Sequence, residues 1–172
     1  YDVTYIKRYQ PDVIIFSPGP GEPTTCGDVG VCADVLADPD LSETPILGVC
    51  LGHQLIASYY GLEVIQAPQP FHGKQSIVEH TQDLLFDGLP DRFPVIRYHS
   101  LVVDSFSRHA DLMCIATTVE PKPLVMALKH RHLPLYGVQF HPESIGTVDG
   151  QQLFYNFFPV SYTHLTLPTS TH

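Results

Sequence analysis

The sequence predicts an α/β domain: a doubly wound, mostly parallel sheet flanked by helices, with an antiparallel excursion in its second half. Short apolar runs at 12–16, 46–49 and 135–140 have strand length, and helix-like segments lie between or after them. The alternation of strand and helix argues for a parallel sheet. Between residues 62 and 128 the texture changes to a succession of short β-rich runs with little helix between them.

Taken in order, residues 2–10 place Val3, Ile6 and Tyr9 at roughly helical spacing, and Pro11 ends that helix. The buried strand 12–16 leads into Ser17-Pro18-Gly19-Pro20-Gly21-Glu22-Pro23, too rich in proline and glycine for regular structure. A loop just past the end of a parallel strand is where open α/β sheets bind ligands, although an ordinary turn has the same composition. Residues 27–36 read as a helix, 46–49 as a strand and 51–60 as the helix after it. The expected antiparallel strands are 62–67, 74–80, 95–97, 101–103, 112–118 and 124–128. The strand 135–140 follows, and a helix over 150–158 presents Leu153, Phe154, Phe157 and Phe158 as its apolar face.

Composition narrows the partners. With 172 residues, 44% of them hydrophobic, the chain can bury a real core. A net charge of −9 argues against a nucleic-acid backbone as partner, and no apolar run approaches membrane length. The four cysteines, Cys26, Cys32, Cys50 and Cys114, show neither CxxC pairing nor zinc-ligand spacing, which suggests reduced thiols.

Gly48-Val49-Cys50-Leu51-Gly52 carries the sharpest chemical signal. It is the thiol version of the Gly-x-Ser-x-Gly elbow, whose small neighbours let the backbone turn sharply and expose a nucleophile. At a helix N-terminus the thiolate of Cys50 is expected to be favoured. A buried cysteine acting as a small hydrophobe is the plain alternative. In an extended segment His141 and Glu143, two apart, would share a face, so that the carboxylate orients the imidazole. Cysteine, histidine and carboxylate together make a covalent acyl-transfer site. A metal site is the competitor, since the chain has ten histidines, but zincin spacing is absent.

The motifs Ser17-Pro-Gly-Pro-Gly21, Gly48-Val-Cys-Leu-Gly-His-Gln54, Arg97-Tyr-His-Ser-Leu101 and Gly137-Val-Gln-Phe-His-Pro-Glu-Ser144 occur in the order seen in class I glutamine amidotransferases. The chain resembles that family over residues 3–158. His72-Gly73-Lys74 and Arg97-Tyr-His-Ser100 resemble the chorismate branch, the glutaminase parts of aminodeoxychorismate synthase and anthranilate synthase. Details such as Ala67-Pro68 look most like eukaryotic aminodeoxychorismate synthases.

The resemblance implies the class I glutamine amidotransferase fold, with a further strand–turn–helix unit ahead of residue 3 that this sequence lacks. It implies catalysis by Cys50, His141 and Glu143, and an oxyanion held by backbone N–H groups of Leu51 and of Gly19 or Gly21. Glutamine is expected to contact the Gly19-Pro20-Gly21 loop, Leu51, Gln54, Ser100 and Leu101. It implies no cofactor in this domain, Mg²⁺ in a chorismate-binding synthase that is a separate subunit or a fused C-terminal domain, and a cytoplasmic site, or a plastid one where a transit peptide has been lost. A catalytically silent interaction module on the same fold and a peptidase-type cysteine hydrolase are the readings from other classes. Residues 1–158 are therefore expected to be the amidotransferase domain. Residues 159–172, polar and threonine-rich, resemble a translated sequencing adaptor or a disordered tail and are set outside the fold.

Overall fold

The computed structural model describes residues 2–19, 23 and 30–166, with side chains through Phe158. Helix α1, Val3–Tyr9, starts where the Asp2 carboxylate accepts the Tyr5 N–H at 3.1 Å, and ends at Gln10 in the left-handed region (φ 48°) ahead of Pro11. Strand β1 is Ile14–Phe16, helix α2 is Cys32–Ala37, strand β2 is Ile46–Val49 and helix α3 is Leu51–Tyr59. Residues 24–29, where the helix expected over 27–36 would begin, lie outside the described residues.

Strands β3, Val64–His80, and β4, Arg92–Val103, form one long hairpin, followed by β5, Leu112–Thr118, β6, Val125–His130, and β7, Leu135–Val138. Helix α4, Gly150–Thr166, runs past Phe158 into the stretch expected to be a tail. No helix of the described residues is long and apolar enough to cross a membrane.

Among the described residues the strands form one seven-stranded sheet in the order β1-β2-β7-β6-β5-β3-β4. Only the pairings β1–β2 and β2–β7 are parallel, and the other neighbours run antiparallel. The expectation of a mostly parallel sheet is thereby corrected to a mixed one. The antiparallel part is larger than the sequence suggested because the short runs fuse into longer strands. Pro68 and Pro70 interrupt the pattern of β3, yet they fall in the register shift between Gln66 and Phe71, where no partner is required.

Helices cover both faces. Phe16, Ile46, Leu135, Leu128 and Val103 pack against Val35 of α2 and against Leu55 and Ile56 of α3. Leu47, Val49, Tyr136 and Val138 point the other way, toward Leu153 and Phe157 of α4. Ile46 and Leu47 lie on opposite faces, as the period of two requires, so the central parallel strands are apolar throughout.

Candidate active site

Cys50 joins β2 to α3 at φ 54° and ψ −102°, a region that a non-glycine residue occupies only when its surroundings impose it. Both of its backbone groups are pinned: its N–H donates to Val138 O at 2.9 Å and its carbonyl accepts the Gln54 N–H at 3.1 Å. Glycines admit the helix at this corner. A Cβ on Gly48 would lie 2.6 Å from the Gly52 backbone, and one on Gly52 would lie 2.6 Å from Phe16 Cβ. The elbow read from the sequence is thus a steric fact of the fold.

Cys50 is only 6% exposed, and its thiol is satisfied in both directions. Cys50 Sγ donates to the Tyr98 carbonyl at 3.7 Å and accepts from Gln139 Nε2 at 3.6 Å. Burial pushes its pKa up to about 11; the Leu51 backbone amide opposes this, the Glu143 charge adds to it, and Gln139 opposes it again. The helix N-terminus does favour the thiolate, through the Leu51 amide, but desolvation outweighs it.

His141 and Glu143 do meet, with Nδ1 and Oε1 2.5 Å apart. They meet in a tight turn rather than an extended segment, because the Ser144 N–H donates to His141 O at 3.2 Å. With the Nδ1 proton directed at the carboxylate, Nε2 is the free face of the imidazole. The ring stands edge-on to Tyr98, centroids 5.1 Å apart. No direct hydrogen bond joins the ring to Cys50 Sγ. Tyr98 is therefore the bridge, its carbonyl on the thiol and its ring on the imidazole.

Gly19, Cys50, Leu51, Gln54, Ser100 and Leu101 line one cleft of about 320 Å³, completed by His72, Tyr98 and His99. That volume sits at the small end of ligand pockets, which run to roughly 300–1,000 Å³. Pro20 and Gly21 lie outside the described residues. Among the described residues, a Cβ on Gly19 would meet only Leu51, at an ordinary 3.6 Å.

Gln54 is buried, and its Nε2 donates to both Leu101 O and Gln139 Oε1, each at 3.1 Å. Its amide oxygen is what remains for a ligand.

Sequence reasoning gave no role to the support beneath this cleft. His99 Nδ1 donates to Leu101 O at 2.7 Å while its Nε2 accepts from Arg97 Nε at 2.9 Å. Burial first, then the Arg97 charge, lowers the His99 pKa to about 4. Arg97 is fully buried, stacks 3.4 Å above the Phe71 ring and donates through Nη1 to Ser76 Oγ at 3.1 Å. Its own pKa is lowered to about 10 by burial, against the pull of Glu120. His99 and Arg97 are two apart on one strand, which is the only signal the sequence offers for their contact.

The glutamine amidotransferase class-I family matches residues 1–160. The chain belongs to the class I glutamine amidotransferases.

Among its relatives in that family, the aminodeoxychorismate synthase of Streptomyces griseus is 46% identical over 153 residues, 89% of this chain and 20% of that protein. Anthranilate synthase component 2 of Saccharolobus solfataricus is 46% identical over 155 residues, 88% of this chain and 77% of that protein. The chain thus spans a fifth of the former's length and about three quarters of the latter's. The solved structure of a GMP synthase subunit from Thermoplasma acidophilum superposes with a TM-score of 0.82 at 25% identity, covering 98% of this chain and 82% of the other. The amidotransferase fold and a seven-stranded mixed sheet therefore stand together.

Proposed function

We propose that this domain hydrolyses L-glutamine through a cysteinyl thioester and supplies the ammonia to a synthase that aminates chorismate. The observation that carries this reading is the convergence of a strained, buried thiol, an imidazole held by a carboxylate, and an amide-lined cleft. Cys50 attacks the side-chain amide carbon of glutamine as its proton passes to His141, whose cation Glu143 stabilises. Because burial disfavours the thiolate in the unliganded site, proton transfer to His141 accompanies the attack.

The Leu51 N–H, a donor of the first turn of α3 that already favours negative charge on Cys50 Sγ, and a donor from the loop at Gly19–Gly21 hold the oxyanion. Losing one such donor costs about 2.7–4 kcal/mol of transition-state stabilisation. His141 then protonates the leaving ammonia, and water hydrolyses the thioester to glutamate. Gln54, Ser100 and Leu101 hold the substrate. The Mg²⁺-dependent step belongs to the synthase, whether a separate polypeptide or a fused domain.

Aminodeoxychorismate is the product favoured by the motif details, and relatives of that name from two Streptomyces species are 45–46% identical. Anthranilate is the second reading, favoured by the component 2 relatives, most of whose length this chain covers. Pairing the chain with each type of synthase and identifying the aminated product decides between them. In the productive pair, Cys50→Ala should abolish glutamine-dependent synthesis and leave ammonia-dependent synthesis intact. Equal loss of both would overturn the division of labour.

A further inference from the structure

Gln139 lies at the end of β7, just before the histidine turn, fully buried, with its N–H donating to Met126 O of β6 at 2.8 Å. The direction of its side-chain amide is fixed by a chain of obligatory roles. Leu101 O is a backbone carbonyl and accepts only, so the Gln54 atom 3.1 Å from it is the NH₂ group. That same NH₂ lies 3.1 Å from Gln139, whose facing atom must then be the oxygen. The other arm of the Gln139 amide, its NH₂, is left pointing at Cys50 Sγ, 3.6 Å away. A carbonyl of the cleft wall thus dictates, two amides away, that a donor faces the sulfur.

We propose that Gln139 is a catalytic residue, an N–H donor that stabilises the Cys50 thiolate as it forms. The proposal rests on the thiol nucleophile of the function proposed above. The resting thiol donates to Tyr98 O and accepts from Gln139. When its proton leaves for the imidazole of His141, the Tyr98 carbonyl faces an anion and loses its attraction. The Gln139 bond instead becomes charge-assisted and strengthens. Nothing is transferred to or from Gln139; its N–H stays on nitrogen throughout. Only an interaction stronger in the reacting state than in the resting one speeds the reaction, and this bond has that property.

The other groups facing Cys50 are Glu143 after β7, the Leu51 amide of α3, and His72 and His99 around the cleft. Of those that act on the sulfur electrostatically, Glu143 disfavours the anion and the Leu51 amide favours it. Gln139 is the side chain that works with the helix against burial. Since Gln54 also binds Leu101, the orientation of the donor is tied to the strand segment that borders the cleft.

The test is the pH dependence of Cys50 alkylation by iodoacetamide, read by peptide mass in the full chain, with Cys50→Ala marking the background. Gln139→Leu removes the donor. Gln139→Glu, nearly isosteric, presents an acceptor to the sulfur. In each, the midpoint should move up by about one pH unit, so that alkylation slows about tenfold near pH 8. An unmoved midpoint in either folded variant overturns the proposal.

A second measurement needs no variant at Gln139. In the ¹⁵N-labelled chain the Gln139 side-chain amide resonances should titrate with Cys50 and cease to do so in Cys50→Ala. Amide resonances indifferent to Cys50 ionisation overturn the proposal as well. Glutamine is absent from both measurements, so a chain that fails to hydrolyse glutamine disproves the function above without touching the role of Gln139.

Discussion

The two halves of the sheet build the site by different means. On the parallel side, β1, β2 and β7 meet α3 through backbone contacts, because Gly48, Gly52 and Gly137 leave no room for a Cβ. The Gly137 position would place one 2.8 Å from His53 Nδ1. On the antiparallel side, the β3–β4 hairpin lines the cleft with Tyr98, Ser100 and Leu101, the Tyr98 and Leu101 carbonyls accepting from Cys50 and Gln54, and is held in place by side-chain bonds through His99 and Arg97. The nucleophile is positioned by steric exclusion and the substrate wall by hydrogen bonding. Exclusion is stiff and tolerates little, while a hydrogen-bonded wall can be loosened one contact at a time.

The sharpest way to break that contrast is Gly48→Ala. The added methyl meets backbone, which has no rotamer to yield, so unfolding free energy should fall by about 1–3 kcal/mol or more. Urea unfolding measures it, and a midpoint equal to that of the parent would mean that α3 is not seated as described.

Next in size is Arg97→Met. It leaves the His99 Nε2 and Ser76 Oγ without their partner, costing about 1–3 kcal/mol. Because the damage reaches the cleft through Leu101, KM for glutamine should rise more than kcat falls. A kcat loss with unchanged KM would place Arg97 on the nucleophile's side of the molecule.

A third test compares the halves through pH. His53 of α3 is held neutral with a pKa of about 3, by burial first and against the backbone of Gly137, and His99 of β4 at about 4. Both lie below the usual 6.5, so between these values the unfolded chain binds protons that the folded chain refuses. Their contribution to stability is complete above about pH 6.5 and is lost as pH falls through about 4 and 3. Urea midpoints should therefore drop on acidification, and His99→Gln should flatten the upper part of that decline. A decline unchanged by that substitution would remove His99 from the account.

What was legible in the sequence follows the same division. The parallel elements were readable because continuous apolar runs and small residues at a corner have one steric solution. Ile46–Val49 and the helix from Leu51 appear as expected. The antiparallel strand 112–118 appears as expected, whereas β3 is longer than the sequence suggests because Pro68, Pro70 and Gly73 look like breaks when the bulges that absorb them are not visible. Cys50, Gln54, Ser100 and Leu101 were found through motifs and do share one cleft. The helix terminus that favours a Cys50 thiolate is visible in the local sequence, whereas the cost of burial that outweighs it is not. Gln139 and Arg97 stood within quoted motifs, but their partners are set by folding and not by spacing.

The protonated resting state of Cys50 has a consequence for durability. Peroxide attacks thiolates, and burial, which raises the Cys50 pKa to about 11, disfavours the thiolate at neutral pH. Between turnovers the sulfur is therefore chemically dull, its nucleophilicity drawn out by the substrate that needs it. A site with a permanently ionised cysteine would react with oxidants at all times; this one is exposed to them chiefly while it is at work.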